Sequence, residues 1–141
     1  MAFKLVGGTA EPFTIEVTVT AGTAIAEGDL LDFNGNVCQR ATSSSTIHSI
    51  FGVAAETIST TATKIKVIPV MYGQIWEAET ANNTDGTELY EGMALTDHDT
   101  VNNSDTTVTG ATGVFRCLGF VGATGNKKII GELTRLQPTS T

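Results

Sequence analysis

Between Phe13 and Thr20 apolar and polar residues alternate one by one: Phe13, Ile15, Val17 and Val19 fall on one side, Thr14, Glu16, Thr18 and Thr20 on the other. A period of two belongs to a strand with one face against a core. Elsewhere apolar residues rarely recur at spacings of three and four, and glycine or β-branched residues interrupt every window long enough for a helix. Threonine fills about one position in six, and its stiff, branched side chain packs well on a pleated surface. The chain reads as all-β with little or no helix.

At 141 residues and 40% hydrophobic, it has material for one domain with a real core. Only 16% of residues are charged, against about 25% in an average soluble domain. The fifteen acidic and eight basic side chains leave a net charge of −7. Affinity for nucleic acid comes from clustered Lys and Arg neutralising phosphates, so no nucleic-acid partner is expected. No window approaches 18 consecutive apolar residues, and the opening MAFKLVGGTAEPF has no continuous apolar stretch of the kind that heads a secretory signal. The expectation is a soluble protein made in the cytoplasm, without a membrane partner.

Further strands follow. Leu30–Phe33 and Val37–Arg40 flank Asn34-Gly35, a pair that tolerates positive φ, and predict a hairpin. A polar spacer, TSSST, leads to the apolar run IHSIFGVAAETI, and KIKVIPVMYGQIWEAET predicts two strands around Tyr72-Gly73, with Pro69 marking an edge or a bulge. Thr80 to Glu88 reads as a loop. The later segments ELYEGMALTDHDTV, VFRCLGFVGA and KKIIGELTRL echo the earlier ones: Glu27-Gly28 returns as Glu91-Gly92, Leu31 as Leu95 and Val37 as Val101, each 64 residues on. Two pseudo-repeated strand-hairpin units, about 21–80 and 86–136, are expected to pair into one compact β-barrel or β-sandwich spanning 13–136. Residues 1–12 read as an N-terminal arm without strand partners, and 137–141 as a short tail.

Few residues carry chemistry. Cys38 and Cys117 show no metal-binding spacing and read as ordinary strand residues. His48 lies in an apolar run and reads as a half-buried strand histidine bonded to backbone, and His98 lies in a polar turn, where a solvated side chain is the default. Ser43 to Ser45 lack the setting of a nucleophile, and Gly122, Gly125, Lys127 and Lys128 are too loosely spaced for a phosphate loop. Asp97, Asp99 and Asp105, with Asn102 and Asn103, offer oxygen ligands, yet Val101, Asn102 and Val108 stand where a calcium loop needs an oxygen donor, Gly and Glu. Glu27 and Glu91, each before a glycine, read as turn residues rather than a catalytic pair. Neither an enzyme nor a metal or cofactor site is expected.

The order of EGDLLDFNGNV, FGVAAE, KIKVIPVMYGQIW, ELYEGMAL and LGFVGA, covering roughly Gly22 to Leu133, resembles the small capsid decoration, or cement, proteins of tailed bacteriophages. The resemblance implies a non-enzymatic structural virion protein on the outer surface of the head. It would be synthesised in the host cytoplasm and would bridge and stabilise major capsid protein subunits. A homotrimer is the first expectation, with dimer or monomer as alternatives. Phe3, Leu5 and Val6 in the arm, and Met71, Tyr72, Trp76, Tyr90 and Met93 beside the polar loops, are the candidate capsid or oligomer contacts, since aromatic residues and Met favour interface centres. Each also suits a core position. The alternative is a carbohydrate-binding or adhesive β-domain of a phage fibre or cell surface, for which one Trp and two Tyr offer little stacking surface.

Overall fold

The computed structural model describes residues 2–8, 13–20 and 22–134, among which there is no helix. The strands are β1 (Lys4–Gly8), β2 (Ile15–Thr18), β3 (Leu30–Asn34), β4 (Val37–Arg40), β5 (Ile50–Ala54), β6 (Lys64–Pro69), β7 (Gln74–Glu79), β8 (Gly92–Met93), β9 (Leu95–Asp97), β10 (Thr100–Val101), β11 (Phe115–Phe120) and β12 (Lys128–Leu133). They form one antiparallel sheet in the order β1-β7-β12-β11-β8, a second in the order β2-β6-β5-β3-β4, and a two-stranded β9-β10 ribbon. The expected hairpin at Asn34-Gly35 is present, with Gly35 at φ 67°.

Strand β5 is buried at all five positions because apolar clusters lie on both of its faces. Leu30, Ile50 and Val53 point toward the first sheet, meeting Phe3, Trp76, Ala78, Phe115, Cys117, Ile129 and Leu133. Leu31, Phe51, Ala54, Ile65 and Val67 point the other way, into the concave side of their own sheet, with Val19, Ile25 and Cys38. A bulge makes this division possible: Leu31 pairs with Gly52 and Asp32 with Ile50, so Phe51 is the extra residue. Gly52 then faces Val67, and a Cβ there would press on the Val67 Cγ1 methyl and stand 2.6 Å from the Ile68 carbonyl oxygen. No side chain larger than hydrogen fits.

The inner cluster curls the second sheet until its edges approach, and Val19 makes one isolated parallel bridge with Cys38. That single bridge does not close a barrel. Of the two expected architectures, the molecule takes the open one: two sheets about a shared core. The strands around Tyr72-Gly73 exist as expected but do not pair with each other, since β6 belongs to the curled sheet and β7 to the flat one. Pro69 ends β6 beyond the last β2 pair, where its missing N–H costs no ladder bond on that side.

The N-terminal arm is a correction. Residues 4–8 pair with β7 in the same chain, and Phe3 is fully buried, its ring 6.5 Å from that of Phe115 and its N–H donating to the Gly28 carbonyl at 3.0 Å. Met1 and residues 9–12 of the arm, Ala21, residues 135–136 and the 137–141 tail lie outside the described residues. Truncating Phe3 removes a core aromatic, so Phe3→Ala is expected to cost about 3–5 kcal/mol, read by denaturant unfolding. A change under about 0.5 kcal/mol would show that the N-terminus behaves as a free arm.

Candidate binding surface

The turn between β6 and β7 is built around a buried glutamine. Gln74 Oε1 accepts the Met71 N–H at 2.7 Å, while its Nε2 donates to the Pro69 carbonyl at 3.0 Å. Gly73 at φ 82° completes the reversal. The turn therefore holds Met71 and Tyr72 outward, Tyr72 with 62% of its surface exposed.

Neighbouring segments bring more apolar surface to the same end. Gly8, at the end of β1, pairs with Gln74 and lies against the Gly73 carbonyl, too close for a Cβ. Val6 is the extra residue of a bulge in β1, between the Leu5–Trp76 and Gly7–Ile75 pairs, and is exposed. The Val70 N–H donates to the Phe51 carbonyl at 3.0 Å, and the Phe51 ring lies 4.6 Å from the exposed ring of Phe33. Phe13, also exposed, precedes β2 by two residues, which sets it beside Pro69. Val6, Phe13, Phe33, Met71 and Tyr72 thus surround one end of the molecule.

Among the described residues that end presents no exposed carboxylate; Glu11, between Gly8 and Phe13 in the sequence, lies outside them. No Asp or Glu occurs in residues 2–8, 13–15, 33–38, 47–53 or 67–76, although the whole chain carries fifteen. The adjacent Asp32 is buried and accepts a hydrogen bond from Ser45 Oγ within the body of the protein. Apolar area rimmed by polar surface marks interaction sites, and charge is characteristically depleted at interface centres.

The eight candidate contacts divide accordingly. Val6, Met71 and Tyr72 share this end, and Leu5 is half-buried beneath it. Phe3, Trp76 and Met93 have no exposed surface and belong to the core between the sheets, so no partner reaches them while the fold is intact. Tyr90 is exposed, but at the β8 edge of the flat sheet, four strand spacings from β1, about 19 Å. Phe13 and Phe33 were legible only as members of an apolar face.

The other polar groups hold loops together. Glu88 is buried and accepts from the Asp85 and Gly86 N–H groups and from Asn103 Nδ2. Asn102 and Asp105 accept from backbone N–H groups two residues on, so these members of the supposed oxygen cluster do not converge on Asp97 and Asp99. Asp97, His98 and Asp99 do bring their donor atoms within 4.8 Å of one another. His98, however, is not solvated as expected: Nδ1 pairs with Asp97 at 2.9 Å, and Nε2 lies 3.3 Å from Arg40 Nη1. Arginine only donates, so in the neutral imidazole this Nε2 accepts and Nδ1 carries the proton toward Asp97. A guanidinium at that distance opposes a bound cation, and the cluster is a clasp that joins the β9-β10 turn to the curled sheet, where the Leu30 N–H donates to the His98 carbonyl at 2.8 Å. His48 lies in the turn before β5 rather than in a strand.

Both cysteines are free and buried, and burial pushes the Cys38 thiol up to about 12, aided by Asp32. Burial likewise raises the Asp29 carboxyl, against the hydrogen bond from the Ala26 N–H and the attraction of His98 and Arg40. The native state therefore holds the Asp29 proton more tightly than the unfolded chain, and this residue's contribution to stability falls as pH rises from the ordinary Asp value through the raised one. Asp29→Asn keeps the acceptor for Ala26 and removes the buried charge. Its melting temperature at pH 7 is expected to equal or exceed that of the wild type, with a smaller loss between acidic and neutral pH. A fall of several degrees would show that the pairing with His98 and Arg40 outweighs desolvation.

The fold is that of an all-β, two-sheet domain in which a curled five-stranded sheet packs on a flat one. The same fold occurs in the crystal structure of the head fiber gp8.5 N base in bacteriophage phi29, at a TM-score of 0.54 and 11% sequence identity, over 89% of this chain and all of that one. No protein-family model matches the chain, and no curated protein matches it in sequence.

Proposed function

We propose that this chain is a non-enzymatic structural protein of a phage virion. It seats its apolar end on the outer surface of the head and, as a decoration protein, bridges and stabilises neighbouring major capsid protein subunits. The observation that carries the reading is the concentration of exposed Val6, Phe13, Phe33, Met71 and Tyr72 at one end, in segments whose described residues include no exposed acidic side chain. A chain of net charge −7 approaches a protein surface with least electrostatic cost through that end. The phi29 head fiber base supports the setting through fold alone. Self-association, as a trimer first, belongs to the same proposal.

Co-sedimentation with expanded heads lacking the protein tests it. Wild type is expected to bind saturably at a fixed copy number per capsid subunit, and to raise the temperature at which heads open. Met71→Asp with Tyr72→Asp, both at exposed turn positions, is expected to weaken binding at least tenfold, about 1.4 kcal/mol, with its own melting temperature unchanged. Equal binding by this variant would move the contact elsewhere, and absence of wild-type binding well above micromolar concentration would end the reading.

A further inference from the structure

Among the described residues, Tyr90 is the one non-glycine residue with positive φ, at 65°. Glycine would hold this conformation without the clash that a Cβ brings, so a tyrosine here needs a reason beyond the turn. Its backbone is fixed from both sides. The Tyr90 N–H donates to the Cys117 carbonyl at 2.8 Å, Arg116 Nη1 donates to the Tyr90 carbonyl at 3.0 Å, and the Glu91 N–H donates to the Glu88 carbonyl at 3.0 Å. The ring stands out from the β8 edge with 64% of the residue exposed, the largest fraction of any large apolar side chain described.

Directly beside it opens a cleft of about 480 Å³, whose polar lining includes Glu91, Thr109, Arg116 and Glu132. Its wall depends on two glycines: a Cβ on Gly92 or Gly113 would stand 2.7 or 2.8 Å from the Val108 carbonyl oxygen, so only glycine lets that loop close in. Among the described residues the Arg116 side chain makes one hydrogen bond, to the Tyr90 carbonyl, and neither Glu91 nor Glu132 forms an ion pair. The cleft therefore presents guanidinium donors and carboxylate acceptors together, and the exposed Tyr90 adjoins it, next in sequence to Glu91 and bonded through its carbonyl to Arg116.

We infer that this cleft binds a neutral hexose glycan. Sugar hydroxyls both donate and accept, and adjacent pairs of them suit a guanidinium and a carboxylate at once. The C–H face of a pyranose suits an aromatic ring, which an ion or a free phosphate does not use. An acidic polysaccharide would meet the repulsion of a chain at −7, whereas a neutral one meets none. Trp76 is buried and Tyr72 lies at the other end of the molecule, so Tyr90 is the exposed aromatic residue nearest the cleft among the described residues. This site is separate from the apolar end and stands whether or not that end binds a capsid.

The test is a ¹H–¹⁵N titration of the free protein with maltohexaose, cellohexaose, mannohexaose and chitohexaose, each to about ten millimolar. At least one is expected to shift Tyr90, Glu91, Arg116 and Glu132 saturably while leaving Met71 and Tyr72 in place. Tyr90→Gly relieves the positive-φ strain, so it should melt no lower than the wild type yet bind at least tenfold more weakly, and Glu132→Gln should weaken the same sugar. Lack of response to all four sugars, or wild-type affinity in Tyr90→Gly, overturns the inference. So does a Tyr90→Gly protein that loses head binding while no sugar shifts the wild type, which would assign the cleft to a protein contact.

Discussion

The double-sided burial of β5 is the constraint on which the rest of the molecule rests. A strand with apolar clusters on both faces needs a layer on each side, and a chain of this size has too few strands to supply three full sheets. The protein meets the requirement by curling the second sheet, so that β2, β6 and β4 supply the inner layer around β5. The flat sheet covers the outer side. Phe51 and Gly52 make the curl possible: the bulge sends Phe51 inward, and the hydrogen of Gly52 leaves room for Val67. From this follow the near approach of Val19 to Cys38 and the passage of the chain from β6 in one sheet to β7 in the other.

Elements with one buried face were legible in the sequence, because their side chains alternate with the pleat. Strand β2 is of this kind, and the β3-β4 hairpin was legible because the turn at Asn34-Gly35 states its own geometry. Strand β1 was not legible. Its sequence, KLVGG, has a bulge at Val6 and two glycines, so no alternation survives, and its pairing with β7 depends on a partner some seventy residues away. The separation of β6 from β7 was hidden for a similar reason: a tight turn at Gly73 reads as a hairpin unless the Gln74 side chain is known to occupy the space within the turn.

The candidate surface shows the same division. Met71 and Tyr72 stand at a turn and were readable as exposed aromatic and thioether groups. Phe13 obeys the alternation that ordinarily means burial, yet it lies before the first β2–β6 pair; Phe33 pairs with Cys38 in β4 but lies past the last β3–β5 pair, and its ring stays exposed beside Phe51. Trp76 and Met93 fail in the opposite direction, since composition values them as interface residues and the flat sheet turns both into the core. Buried polar residues were the least legible. Asp29 and Glu88 look like turn or loop residues in the sequence and Asp32 like the polar member of a strand, and only the fold shows them accepting hydrogen bonds inside it.

Both surfaces proposed for binding sit at sheet edges, and edge management links them. An edge strand exposes unpaired backbone groups that invite unwanted pairing, and bulges and very short strands are the usual remedies. Here β1 is interrupted by the Val6 bulge, and β8 has two residues ended by the turn at Tyr90. Each interruption turns a side chain out of the pleat. At β1 the result is an aliphatic group continuous with the Met71–Tyr72 turn. At β8 it is the exposed Tyr90, next in sequence to the Glu91 that lines a charged cleft. The devices that keep this small domain from pairing edge to edge are thus the ones that give its two ends different chemistry, one apolar, the other rich in hydrogen-bonding groups.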